Sequence, residues 1–308
     1  MGRMLSENAT SSSTAAPSSV FRAAISALRM KQWTKNALVL AAIIFSGHFT
    51  NPEDWVNVGI AFASFCCVSS AGYIINDIRD READAKHPRK SKRPIASGRL
   101  SVGTARIEAV ALCLIGGAAA FLVSPPFVAI VVAYFATTMS YSLYFKDLVI
   151  LDVMLIATGF IWRAVAGAVA IDVAISPWLL ICTAFLALFL GFNKRRAELN
   201  LLQGDAGAHR KNLTQYSPAM LDQFQGITTS GAIISYALYT VNGPTPWLML
   251  TMPYVLFGIF RYIYLVDQQG AGGAPDETLL RDRPILATCA LYALTAVIVL
   301  RLVGDGAF

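Results

Sequence analysis

WVNVGIAFASFCCVSSAGYIINDIRDREAD, residues 55–84, decides how the rest of the chain is read. From Trp55 to Ile75 it carries no charged residue, enough for a helix to cross a hydrocarbon core of about 30 Å. It then turns abruptly acidic. Asp77, Asp80 and Asp84 are spaced i, i+3, i+7, and Asn76, Asp80 and Asp84 are spaced i, i+4, i+8. A continuing helix puts both sets on one face. Like charges on one face repel and call for a cation. Clustered carboxylate and amide oxygens suit a hard divalent ion, Mg²⁺ shared with substrate phosphates. The plainer alternative is a solvated helix end whose acids pair with Arg79, Arg81 or Lys86. Charge pattern alone leaves both open; position at the end of a membrane helix favours the metal.

The 308-residue chain is 56% hydrophobic and 14% charged, with a mean hydropathy of +0.55. A soluble domain carries roughly 25% charged residues. Backbone polar groups inside a bilayer must be satisfied within the spanning element, so the long apolar runs read as helices. The expected fold is all-α, a polytopic integral membrane protein. Its spans are expected near residues 37–49, 55–75, 103–123, 127–144, 149–171, 177–192, 220–241, 246–266 and 284–303. Residues 1–19, rich in Ser, Thr and Ala, read as a disordered tail. Residues 20–308 read as a single transmembrane domain. Within it, 20–36 is expected as an amphipathic helix lying in the interface, with Arg22, Arg29, Lys31 and Lys35 basic and Trp33 at headgroup depth. The five cysteines show no metal or disulfide spacing.

The connections at 48–54, 124–126, 172–176 and 242–245 contain no Lys or Arg. Of the 25 Lys and Arg residues, all but Arg163 and Arg301 lie in or beside the other connections and the N-terminal segment. Bias this one-sided places the N-terminus in the cytoplasm and the C-terminus outside. It also accounts for the net charge of +6, and no nucleic-acid partner is expected. The acid face, Tyr141, Lys146 and residues 193–198 then share one cytoplasmic mouth.

After the acids comes AKHPRKSKRPIASGRL, residues 85–100, with Lys86, Arg89, Lys90, Lys92, Arg93 and Arg99. Carboxylates that hold a metal and cations that take the outer oxygens suit a magnesium-bound pyrophosphate. For any single base, the positive-inside bias is sufficient explanation. Arg163, in GFIWRAVAGA, lies deep in a span, where a charge usually faces a cavity or a partner. It reads as a phosphate ligand, as a structural pair with Asp152, or, if the span lies differently, as an arginine snorkelling to the interface.

NDIRDREAD resembles the NDxxDxxxD signature of the UbiA superfamily of intramembrane prenyltransferases, and the resemblance covers nearly the whole chain. It implies nine helices around a central cavity with cytoplasmic cap loops. It implies Asn76, Asp77, Asp80 and Asp84 as Mg²⁺ ligands. Tyr141-Ser142 through Lys146 is similar to a second family feature, a Tyr and a Lys that help hold a diphosphate. The family's second Asp-rich motif, DxxxD, is replaced by GFNKRRAELN, residues 191–200. Only Glu198 matches a carboxylate there, i+4 from Lys194 and i+3 from Arg195, with Arg196 adjacent. More bases and fewer acids suit a more anionic donor, or two phosphorylated substrates in one site.

Together with residues 28–49 and 91–101, that departure is similar to an actinobacterial branch of the family. The branch implies 5-phosphoribosyl-1-diphosphate (PRPP) as donor and a polyprenyl phosphate lipid, such as decaprenyl phosphate, as acceptor. The products are polyprenylphosphoryl-5-phosphoribose and pyrophosphate, toward arabinan cell-wall precursors at the bacterial plasma membrane. Asp77, Asp80, Asp84 and Glu198 are the catalytic candidates. Lys35, Asn36, Asn76, Tyr141, Lys146, Arg163, Lys194, Arg195 and Arg196 are the substrate-binding ones. The acceptor is already an anion, so the absence of an obvious catalytic histidine fits; His48, His87 and His209 are expected outside or in loops. A homo-oligomer is compatible with the sequence. An aromatic prenyltransferase of quinone or haem synthesis is the nearest alternative, and a lipid transporter a distant one, which would instead place paired ionisable residues near mid-bilayer.

Overall fold

Four helices begin the same way: a side-chain cap followed by proline. Asn51 caps Pro52–Arg79 by accepting from the Glu53 N–H. Ser124 caps Pro125–Ser140, Ser217 caps Pro218–Asn242, and Thr245 caps the 3₁₀ helix Pro246–Thr251. The cap oxygen satisfies one orphan N–H, and proline at the first position has none to satisfy. The computed structural model describes residues 17–88, 90–201, 213–270, 273 and 275–303. The expected tail up to residue 16, Arg89, His209, part of the 270–275 loop and residues 304–308 lie outside the described residues.

The helices are α1 Pro17–Ala27, α2 Ala41–Phe45, α3 Pro52–Arg79, α4 Arg81–Lys86, α5 Val102–Val123, α6 Pro125–Ser140, α7 Leu151–Ala170, α8 Pro177–Leu201, α9 Pro218–Asn242, α10 Met252–Gln269, α11 Pro275–Arg281 and α12 Arg283–Val303. The chain is a multi-pass helical membrane protein. Among the described residues, seven helices are long and apolar enough to cross a bilayer. Two of the nine expected spans are not among the seven. The stretch at 220–241 lies in α9, which has the length but carries Asp222, Gln225, Thr228 and Ser235. Its Thr228 and Ser235 hydroxyls donate to the helix's own carbonyls, at 2.7 Å and 2.6 Å. The stretch at 37–49 is drawn out as a 3₁₀ helix, Met30–Leu40, running into α2. At the larger 3₁₀ rise these two pieces cover roughly 30 Å with few residues.

The amphipathic helix expected over 20–36 is broken at Arg29, which sits in the left-handed region (φ 50°). Before the break, α1 buries Ala23 and Ala27 against Ala71 and Ile74 of α3. After it, the chain dives inward, and Asn36 is fully buried.

Neighbouring helices pack in sequence order: α3 on α5, α5 on α6, α6 on α7, α7 on α8 and α8 on α9. The ring is completed where α12 meets α2 and the 3₁₀ segment wedges between α3 and α7. Small residues permit the closest approaches. At Gly116 the Ser64 hydroxyl donates to the glycine carbonyl at 2.7 Å. At Gly167 any Cβ would run into the Val39 carbonyl. The ring leaves a central space. With about 1.5 Å rise per residue, α3 at 28 residues outruns a ~30 Å core, so its last turns carry Asn76 and Asp77 beyond the hydrocarbon.

Candidate active site

A cavity of about 1100 Å³ opens at the end of the ring where α3, the α6–α7 connection and α8 finish. Asn76, Asp80 and Asp84 line one wall. Asp77 is 2% exposed, buried between two guanidinium groups. Each carboxylate carries a cation from elsewhere in the chain. Asp77 Oδ1 accepts from Arg29 Nη2 at 2.5 Å and from Arg93 Nη1 at 3.1 Å. The same Arg93 nitrogen reaches Asp84 Oδ2 at 2.5 Å. Lys146 Nζ meets Asp80 Oδ1 at 2.5 Å. These partners are not Arg79, Arg81 and Lys86, the neighbours in sequence. Arg79 donates to the Ser142 carbonyl and Arg81 pairs with Glu82.

Local geometry explains the choice. The left-handed turn at Arg29 brings its guanidinium over the Tyr73 ring, 5.2 Å from the centroid, and onto Asp77. Helix α3 ends at Arg79, and Asp80 joins it to α4. The connection after α4 then folds back and delivers Arg93. The segment Tyr141–Phe145 is a π-helical turn at the end of α6. A π-turn inserts an extra residue and re-aims the chain beyond it, often at functional sites; here it presents Tyr141 and Lys146 to the cavity.

The opposite wall comes from α7 and α8. Lys194 and Arg195 line it. Arg195 is 1% exposed, with Nε on Asp152 at 2.9 Å and Nη1 on Glu198 at 2.5 Å. Glu198 thus orients Arg195. Arg196, one residue on, projects elsewhere: it pairs with Asp222 at 3.0 Å, with Gln225 at 3.1 Å and with Asp267, and it does not line the cavity. Asp267 is therefore a helix-to-helix tie, and Asp282 is likewise paired with Arg261 at 2.9 Å.

Arg163 lies at the inner end of the cavity, 5% exposed. Its three nitrogens donate to Asn36 Oδ1, the Gly159 carbonyl and the Tyr134 hydroxyl, each at 2.8 Å. The pairing with Asp152 considered from sequence is not what forms, because Asp152 holds Arg195. Asn36 also donates to Ser69 at 3.2 Å, so it fixes Arg163 more than it faces a ligand. Lys35 lines the cavity and donates to Gln32 at 2.5 Å. Leu155, Ile156, Phe160 and Leu190 make an apolar flank, and Leu279 and Leu280 of α11 line the same cavity.

Among the described residues no three His, Cys, Asp or Glu side chains already converge as a metal site. The donor set at the acid wall is nonetheless oxygen-only, three carboxylates and an amide, which fits a hard divalent cation. Arg29, Arg93 and Lys146 occupy those oxygens here. Sequence reading missed Arg29 as a partner of Asp77, and missed Tyr73 and Gln32. Arg29 has one signal in the chain: it is the base just before Met30, where the amphipathic pattern of α1 ends.

Residues 37–276 match the UbiA prenyltransferase family. The chain is 38% identical over 277 residues to a decaprenyl-phosphate phosphoribosyltransferase of Corynebacterium glutamicum, covering 87% of this chain and 83% of that one. It is 32% identical over 274 residues to the Mycobacterium tuberculosis protein of the same name, covering 87% and 90%. A UbiA homolog from Archaeoglobus fulgidus, solved with GPP and Mg²⁺, superposes with a TM-score of 0.71 at 18% identity, over 91% of this chain and all of that one. Family match, relatives and architecture agree: this chain belongs to the UbiA prenyltransferase family.

Proposed function

We propose that the protein transfers the 5-phosphoribosyl group of PRPP to decaprenyl phosphate, releasing pyrophosphate and leaving decaprenylphosphoryl-5-phosphoribose. The observation that carries this reading is one cavity with cations on two walls and an apolar flank. Arg29, Arg93 and Lys146 stand beside the acids, Lys194 and Arg195 stand across from them, and Leu155, Ile156 and Phe160 offer a lipid-like surface. A prenyl diphosphate meeting a neutral acceptor brings one anionic group. PRPP and a lipid phosphate bring three, which suits cations on both sides. The names borne by the full-length relatives support the same choice.

Asn76, Asp77, Asp80 and Asp84 would hold Mg²⁺, which supplies charge neutralisation to a departing diphosphate. Lys146 and Arg93, released from their carboxylates, bind phosphate oxygens of the donor. Lys194 and Arg195 hold the anion on the other wall. Arg163, fixed by Asn36 and Tyr134, is placed to orient the acceptor phosphate at the inner end. As pyrophosphate leaves C1, positive charge develops on the ribose ring, and prepositioned cations stabilise the leaving group without reorganising. The acceptor oxygen is already ionised, so no side chain need remove a proton. Attack opposite the leaving group inverts the anomeric centre from α to β. The cavity faces the cytoplasm of a bacterial plasma membrane, with the N-terminus inside and the C-terminus outside, a placement the charge bias supports.

The test is one assay. Membranes containing the protein are given labelled PRPP and decaprenyl phosphate, with and without Mg²⁺. A labelled lipid that needs the metal is expected. No labelled lipid, or prenylation of an aromatic acceptor instead, overturns the reading.

A further inference from the structure

The connection from α6 to α7 carries Lys146 and re-enters the bundle through an unusual corner. Ile150 has φ 70° and ψ −52°, and the Leu151 N–H bonds the Val149 carbonyl at 2.8 Å. This is a γ-turn with positive φ, which a β-branched residue avoids because its Cβ crowds the backbone. Such a corner persists only where its surroundings hold it.

Tyr216 holds it. Its hydroxyl accepts from the Ile150 N–H at 2.7 Å and donates to Asp152 Oδ1 at 2.8 Å. The other Asp152 oxygen accepts from Arg195 at 2.9 Å. Tyr216 is 4% exposed and packs among Val153, Phe192 and Leu221. Burial pushes its pKa above the ordinary tyrosine range, with the Asp152 charge adding to the rise, so the hydroxyl stays a donor. The residue comes from the connection between α8 and α9. One hydroxyl therefore ties the corner below Lys146 to the end of α8 that carries Arg195. Lys146 and Arg195 line the cavity; Tyr216 does not.

We propose that Tyr216 is a positioning residue for phosphate binding: by holding the corner at Ile150 it sets how far Lys146 reaches into the cavity, in register with Arg195. The proposal rests on reading the cavity as a diphosphate site.

The test uses the full chain in detergent, with Mg²⁺-pyrophosphate and Mg²⁺-PRPP binding followed by calorimetry. Tyr216→Phe is expected to weaken pyrophosphate binding about tenfold, and to add less than about twofold in a Lys146→Ala background, because residues acting as one unit are not additive. Glycine adopts positive φ without strain, so Ile150→Gly in the Tyr216→Phe background is expected to restore most of the lost affinity. Val153→Ala, which loosens the same apolar cluster, is expected to lower Tm while leaving affinity within about twofold. Failure of the glycine rescue, full additivity with Lys146→Ala, or an equal loss in Val153→Ala overturns the proposal. Wild-type protein that binds pyrophosphate but not PRPP sinks the donor assignment and leaves the Tyr216 test intact. Wild-type protein that binds neither sinks both.

Discussion

Two acid–base clusters face each other across the cavity, and they are built differently. On the α3 side, the side chains of Arg29, Arg93, Lys146 and Asp80 are 24%, 26%, 22% and 24% exposed. On the α8 side, the side chains of Arg195 and Asp152 are 2% and 0% exposed. The Lys146–Asp80 pair, part-exposed on both sides, is open to ligand and can exchange partners at small cost, since part-exposed ion pairs are worth little. The α8 set is sealed; removing one partner would strand a buried charge. Similar residues thus sit in different settings: the α3 side offers part-exposed bases to the cavity, and the α8 side presents Arg195 from a buried, fixed pair. Asp77 and Asp84 stand between, buried like Asp152 yet served by cations from the open side.

This contrast can be broken by mutation. Asp152→Ala leaves Arg195 with Glu198 alone and is expected to cost about 3–5 kcal/mol of stability, read as a fall in Tm and in yield from membranes. Asp80→Ala is expected to cut lipid product by about 100-fold, about 2.7 kcal/mol in the barrier, while Tm barely moves. If Asp80→Ala unfolds the protein as Asp152→Ala does, the two walls are not different in kind. Arg163→Ala removes three hydrogen bonds and uncovers Asn36, for a loss of about 1–3 kcal/mol of stability, with a raised KM for the lipid acceptor as the functional sign. Arg196→Ala is the smallest: within about 1 kcal/mol in stability, with activity within twofold. A large activity loss there would return Arg196 to the site and redraw the α8 wall.

Much of the architecture was legible because apolar length is one-dimensional. The run 55–75 and the other apolar stretches are properties of consecutive residues. Two expected spans are not among the seven. Residues 37–45 run from a 3₁₀ helix into α2, and α9 is a long helix that carries polar side chains, of which Thr228 and Ser235 bond the helix's own carbonyls. The acid face was legible for the same reason as the spans: Asn76, Asp77, Asp80 and Asp84 are near neighbours on one helix and its extension. Their partners were not. Arg29 and Arg93 lie 48 and 16 residues from Asp77, and Lys146 lies 66 from Asp80.

The basic cluster shows the limit most sharply. Adjacent residues on a helix point about 100° apart, so Lys194, Arg195 and Arg196 cannot all face one wall, and nothing in NKRRAEL says which of them turn inward. The sequence by itself determined a helical membrane protein, the uneven spread of its bases among the connections, and an acid face after its long apolar run. Only the tertiary structure decided that Arg195 is buried on Asp152, that Arg196 is spent on Asp222 and Asp267, and that a lone tyrosine in LTQYSPAM supports a strained corner 66 residues away. Those choices rest on which helix faces come together, and a local pattern does not encode that.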